Sequence, residues 1–297
     1  MSDHKRQHWI PDTYLDAWCD PDPARQNPKR VYRFNPDGSF KDYRTPSRLF
    51  TKDDLYTVPG PNGERGLEAE HSMTRLEDAF ARMRKGRLEK GLPLPPKDRV
   101  QLIWFISAMR NRSPAAHAHD AYFNSRVLEI GDDMKAAMAR MSPDERAAWG
   151  KKAARMTLKG TDDVSIPLEA FREIVTAPFG AQLPNKIAVE ASVLERMYLT
   201  ILRAPDGHTF LTSDRPVTWW DPEDPPPTRS PLGLGRASMQ VTVPLTPSLC
   251  AMISHVDYAD YMDVNDTSVA NINDRTVHYC REVYISQQPP EKSAQTP

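Results

Sequence analysis

Two glutamates seven residues apart, Glu70 and Glu77, stand in a stretch where Met73, Leu76, Phe80 and Met83 recur at helical spacing. Seven residues make two helical turns less about twenty degrees, so both carboxylates share one face. Glu77 lies about 40 to 60 degrees around the helix from Met73 and Phe80, which places that face at the margin of a core. Glu68, Arg75 and Arg82 point the other way, to solvent. Carboxylates at a core margin require hydrogen bonds, ion pairs or a metal. An Arg or Lys partner at a helix junction meets that requirement as well as a cation does.

Arg110-Asn111-Arg112-Ser113-Pro114 closes the most apolar stretch of the chain. Its two guanidiniums suit bidentate binding of a carboxylate or phosphate, and equally suit the orphan carbonyls of a helix C-terminus. Thr212-Ser213-Asp214-Arg215-Pro216 follows a strand-like run, which would aim Asp214 rigidly. The same step reads as an Asx turn, with Asp214 bonding its own backbone before Pro216. His4 and His8 are four apart but precede Pro11 in a segment with no helical pattern, so His8, beside Trp9, is the better single candidate. Cys19, Cys250 and Cys280 have no Cys-x-x-Cys spacing, and the last two sit in apolar surroundings that suit inert core thiols.

The chain lacks a Walker A loop, a Gly-x-Ser-x-Gly elbow, His-Glu-x-x-His and a dinucleotide-binding glycine fingerprint, so no nucleotide cofactor is implied. Its 39 Lys and Arg against 40 Asp and Glu leave a net charge of −1. No global basic field therefore advertises nucleic acid, although a local groove can still be basic. No apolar run approaches the roughly 18 residues of a membrane span, and no apolar segment backs the N-terminal charges as in a secretory signal. The cytoplasm is the expected location.

The elements that must position these residues follow from periodicity and turn chemistry. A short helix is expected over 12–19. A hairpin joins 31–34 to 39–43 through Asn35-Pro36-Asp37-Gly38, and a third strand covers 55–58. Helices follow over 66–88, 96–110 (apolar nearly all round), 115–141, from a Ser142–Glu145 capping box onward, 168–177 and 185–197. A second hairpin is expected from 198–203 and 208–212 around Ala204-Pro205-Asp206-Gly207. Strands at 239–243 and 249–254, a helix at 267–280 and a strand at 282–286 complete the pattern. The fold class is α+β, a central helical block with small antiparallel strand regions at the N-terminal and C-terminal ends. One domain is expected over 1–286, with parts at 1–62, 66–197 and 198–286, and a disordered tail over 287–297.

The same segments carry a family likeness. His8-Trp9-Ile10-Pro11 with Tyr14-Leu15, Val31 to Phe34, Thr45-Pro46, Asp54-Leu55-Tyr56, and Leu76-Glu77 preceded by Glu70 resemble, in order, the motifs of domain-of-unknown-function family 4238. Arg112-Ser113-Pro114, Leu211 to Val217, Pro244-Leu245-Thr246-Pro247 and Ile272-Asn273 continue the likeness, which spans residues 8 to about 286. Trp9, Ile10, Ser113 and Arg215 are mild departures. The family is uncharacterised and mostly bacterial, so the resemblance brings no activity. It does draw attention to six polar positions on separate elements: His8, Glu70, Glu77, Arg112, Asp214 and Asn273.

A histidine, carboxylates and an arginine are the inventory of a metal-dependent hydrolase or nuclease. Glu70, Glu77 and Asp214 would hold Mg or Mn, which favour carboxylate oxygens. His8 would serve as general base and Arg112 would stabilise developing negative charge, while Asn273 is a further polar position without an assigned role. The alternatives are a non-catalytic binding or regulatory module recognising an anionic ligand or a protein segment, and a buried ion-pair network with a purely structural role.

Overall fold

Between Glu68 and Leu194 the chain is predominantly helical while strands occupy both flanks, the segregation that defines an α+β protein. The structure, a computed structural model, describes residues 5–25, 28–60, 62, 64–156, 167–225 and 233–289. Most of the tail expected to be disordered, and part of the proline-rich loop after Asp221, lie outside the described residues.

In the N-terminal flank, β1 (Arg6–His8) pairs antiparallel with β4 (Thr51–Asp53), and α1 (Asp12–Leu15) runs into a 3-10 turn. β2 (Val31–Phe34) and β3 (Phe40–Arg44) form the expected hairpin, with Gly38 at the positive φ of 87° that its turn needs. The expected strand at 55–58 is displaced. Leu55 and Tyr56 are buried outside any ladder, and only β5 (Val58–Pro59) pairs, with β6 (Arg65–Gly66).

The helical block comprises α2 (Glu68–Gly86), α3 (Pro96–Asn111), α4 (Pro114–Arg140), α5 (Pro143–Met156), α6 (Leu168–Thr176) and α7 (Phe179–Leu194). The Ser142–Glu145 capping box forms as expected: the Glu145 carboxylate accepts from the Ser142 amide at 2.8 Å, and Ser142 Oγ accepts from the Glu145 amide at 3.3 Å. Ser113 caps α4 by accepting from the Ala116 amide at 3.1 Å, so Pro114 starts this helix as well as limiting the one before. α4 buries none of its 27 residues.

α7 starts earlier than its period predicts. Pro178 supplies the extended residue before it, and Pro184 is carried inside near the first turns, where few backbone bonds are lost. The early start brings Gly180 against the Tyr56 carbonyl oxygen, an approach that a Cβ would block.

The C-terminal flank holds β7 (Tyr198–Arg203), β8 (Thr212–Ser213), β9 (Thr218–Trp220), β10 (Gln240–Thr246), β11 (Leu249–Ser254), β12 (Tyr261–Asp263), α8 (Asp266–Tyr279) and β13 (Tyr284–Ser286). Here the expected 198–212 hairpin is corrected. Gly207 does turn the chain at φ 82°, but β7 pairs antiparallel with β11 and parallel with β12 in a five-stranded sheet ordered β12-β7-β11-β10-β9. β8 instead joins a four-stranded sheet ordered β3-β2-β13-β8, which unites both ends of the chain. Turn residues are a local signal, whereas the choice of partner was made by distant strands.

The largest core cluster draws residues from the N-terminal flank, α2, α3, α7 and the C-terminal strands. At its centre Tyr14 packs against Trp18, Phe80 and Phe105, the last two stacked at 4.1 Å. The Tyr14 hydroxyl donates to the Pro244 carbonyl at 2.7 Å and shares a 2.7 Å bond with the Thr212 hydroxyl, while the Trp18 indole donates to the Phe210 carbonyl at 3.0 Å. The four-residue α1 thus fastens the helical block to both larger sheets. Replacing Tyr14 by Phe strands a buried carbonyl, and we expect a loss of about 1–3 kcal/mol in urea unfolding. Wild-type stability in that variant would show that the packing alone holds α1.

Candidate functional site

Successive residues at a helix end point about 100 degrees apart, so the motif that closes α3 serves two faces. Arg112 turns toward the N-terminal flank and is 1 % exposed. Its Nε donates to the Trp9 carbonyl at 2.7 Å and its Nη1 to Glu77 Oε1 at 2.6 Å. Glu77 therefore finds an arginine partner at a helix junction, the ion-pair alternative weighed from sequence.

His8 belongs to the same neighbourhood. Burial lowers its pKa, opposed by the nearby carboxylates of Asp12 and Glu77, and its Nε2 is buried without a hydrogen-bond partner. The Tyr56 hydroxyl donates to the His8 carbonyl at 2.9 Å. Glu70 lies within electrostatic range of Tyr56. His8, Glu77 and Arg112 are thus brought together.

Asp214 and Asn273 are held elsewhere by backbone. Asp214 Oδ1 accepts from the Arg281 amide at 3.0 Å, and the carboxylate, together with burial, raises the pKa of the Cys280 thiol. The expected Asx turn is made by the neighbouring residue instead: Ser213 Oγ accepts from the Arg215 amide at 3.1 Å. Asn273 accepts from the Leu211 amide at 2.8 Å and donates to the Thr209 carbonyl at 2.9 Å, clamping the segment that leads into β8. Among the described residues no three His, Cys, Asp or Glu gather in a way that could hold a metal ion, so Glu70, Glu77 and Asp214 do not surround one cation. The cysteines are free and buried, with burial pushing Cys19 to about 11 and Cys250 to about 12, as inert thiols require.

The other face of the α3 end opens on a cavity of roughly 400 Å³, lined by Arg110, Asn111 and Ser113, by His119 and Asp120 of α4, by Arg215-Pro216-Val217, and by Trp219 and Tyr279. Its volume lies within the ordinary range for small-ligand sites. The Arg110 guanidinium lies 3.8 Å from the Trp219 ring centroid and donates to Glu190 Oε2 at 2.8 Å. Asn111 donates to the same oxygen at 2.6 Å, while Glu190 Oε1 and the Trp219 indole nitrogen are buried without partners among the described residues. Burial raises the Glu190 pKa despite Arg110 and Asn111.

Arg215, half-buried on the cavity wall, makes no salt bridge among the described residues. Burial lowers its pKa, and the Arg281 and Arg110 cations lower it further, opposed by the Asp214 carboxylate and by Tyr279. Two segments noted in the sequence meet here, but Arg215 itself was passed over as a departure within a motif. Trp219 and Tyr279 carried no signal beyond apolarity, since only the β9 and α8 placements bring them to the wall.

Residues 6–289 match the family described as "Protein of unknown function (DUF4238)". No curated protein and no solved structure matches the chain. No helix among the described residues is long and apolar enough to cross a membrane.

Two measurements check this geometry. Glu77→Ala leaves the Arg112 cation buried and half-paired, and we expect a loss of about 3–5 kcal/mol in chemical denaturation. A loss under about 1 kcal/mol would mean that solvent compensates the guanidinium. For His8 the folded pKa lies below the unfolded value of about 6.5. Below that value the unfolded chain gains a proton that the folded one resists, so stability present above it falls as pH drops toward the folded pKa. His8→Asn should flatten this acid limb, and an unchanged pH profile would remove His8 from its cause.

Proposed function

Taking as premise that the chain belongs to the DUF4238 family, whose description assigns no activity, we propose that it is a binding module for a small organic anion with a flat apolar body. The observation that carries this reading is the Arg215 guanidinium, half-buried in the wall of a ligand-sized cavity and without a salt bridge among the described residues. A half-buried cation beside two further cations, Arg281 and Arg110, and only partly offset by Asp214, is costly, and an anionic ligand lowers the cost. Arg110 adds positive potential but is committed to Glu190 and Trp219, so Arg215 is the free hand. Its planar fork matches a carboxylate or phosphate bidentately. Trp219, Tyr279, Pro216 and Val217 supply apolar surface for the remainder of the ligand.

The hydrolytic reading of His8, Arg112 and Asp214, with Mg or Mn on Glu70, Glu77 and Asp214, draws less support. Arg112 is consumed by Trp9 and Glu77, and Asp214 by the Arg281 backbone. A general base and its electrophilic partner need a common reacting atom. His8 and Arg112 share one junction, but Asp214 serves another.

Benzoate and phenyl phosphate are suitable probes, read by quenching of tryptophan fluorescence and by thermal shift. We expect at least one to raise the melting temperature of the wild type. Arg215→Gln should weaken its binding by tenfold or more, about 1.4 kcal/mol, without lowering the melting temperature of the free protein. Equal binding by wild type and Arg215→Gln, or no binding of either anion at millimolar concentration, would reject the assignment.

A further inference from the structure

Away from that cavity, the hairpin of β2 and β3 combines two kinds of side chain that the neutral overall charge conceals. Cα partners in the ladder put Tyr32, Phe34, Phe40, Tyr43 and Tyr284 on one face of the four-stranded sheet. The rings bear this out: Phe34 stacks on Tyr284 at 5.2 Å and meets Phe40 edge-on at 5.6 Å. β3 is an edge strand, and two of these rings remain open to solvent, Phe40 at 42 % and Tyr43 at 54 %. Exposed aromatic rings on a sheet are costly surface unless something covers them.

The second kind is cationic. Arg30, Arg44 and Arg48 line one basin with Tyr43, Thr45 and Ser47. The Arg30 guanidinium lies 4.5 Å from the Tyr43 ring centroid, and its Nε is buried without a hydrogen-bond partner among the described residues. Neither Arg30 nor Arg48 has a salt bridge among the described residues; Arg44 shares Asp42 at 3.1 Å. The acidic groups around the hairpin are otherwise engaged. Asp42 is held by both forks of Arg33 at 2.6 Å on the opposite face, Asp37 binds Ser39 in the turn, and Asp20 takes the Tyr32 hydroxyl. Phe40 and Tyr43 are three residues apart on one strand, at most about 10 Å.

We propose that this sheet face binds a single strand of nucleic acid, its bases stacking on Phe40 and Tyr43 and its phosphates meeting Arg30 and Arg48 in the basin beside Tyr43. Rings with a cationic margin are what a sequence-tolerant strand site requires, because every base has a π-face and every linkage a charge. A duplex would offer the rings no unstacked base. Phe34 and Tyr284 brace Phe40 from below, and Arg30 braces Tyr43. The site is separate from the Arg215 cavity in residues and in chemistry.

The test uses the full chain and fluorescently labelled oligothymidylate and oligouridylate, followed by anisotropy at low salt. Both strands should bind; preference for one identifies the source as DNA or RNA. Phe40→Ala should weaken binding about tenfold by removing a stacking surface. The double variant Arg30→Gln/Arg48→Gln should weaken it at least as much and reduce the salt slope by about one to two. Arg215→Gln should leave oligonucleotide binding unchanged, which keeps this result independent of the small-anion cavity. Phe40→Leu, with a wild-type melting temperature, guards against misfolding and should bind like Phe40→Ala. Absence of oligonucleotide binding overturns the proposal. So does equal competition by inorganic polyphosphate together with unaltered binding by Phe40→Ala, since that would mark a polyanion patch without base recognition.

Discussion

The Arg112 guanidinium is the constraint on which the arrangement of the N-terminal flank depends. It arrives at the end of α3, a helix with eight buried residues, and is itself buried there. Its charge must be met by protein groups, and Glu77 of α2 and the Trp9 carbonyl meet it, with the Met109 sulfur accepting from Nη2. That demand fixes where the β1–α1 segment crosses the helices, and so where Tyr14 enters the aromatic cluster. A buried pair of this kind adds little net stability over an apolar substitute, but breaking it is expensive, which makes it a device for register more than for strength.

The division of labour at the α3 terminus explains how a structural anchor and a ligand site can share four residues. Arg112 faces inward and is saturated. Arg110 and Asn111 face the cavity and hold Glu190, leaving one of its oxygens unbonded. Because Arg112 locks the helix end, the cavity wall on its far side is rigid, and a preorganised wall is what lets a small anion bind without paying to order it.

Much of this fold could be read from sequence, for reasons that are local. Met73, Phe80 and Met83 declared α2 by period, Gly38 declared its hairpin, and Ser142 with Glu145 declared a cap. Pairing was less legible: nothing near Thr212 says that its partner is Ile285 and not Leu202. The site suffered more. Glu77 and Arg112 were identifiable as buried charges needing partners, and they turned out to need each other. Asp214 drew notice as a polar residue at a strand end and Asn273 through the family likeness, yet each is occupied with backbone. Arg215 was overlooked because its role comes from lacking a partner, and a missing neighbour leaves no trace in the residues adjacent to it.

α4 illustrates a different kind of consequence. At about 1.5 Å per residue it is some 40 Å long, with no residue buried. Its contact with α6 is drawn from surface pairs, Lys135 with Glu169 at 2.8 Å and Arg172 with Asp132 at 2.7 Å, and from Leu168 lying against Gly131. Such pairs are screened by salt, whereas the aromatic cluster around Tyr14 is not. The molecule therefore joins a salt-labile outer limb to a salt-indifferent body. Ionic strength acts as a dial on how firmly α6 is held along that limb; the sheet face proposed for nucleic acid lies on the body that the dial does not reach, whereas the Arg215 cavity takes His119 and Asp120 of its wall from the first turns of α4.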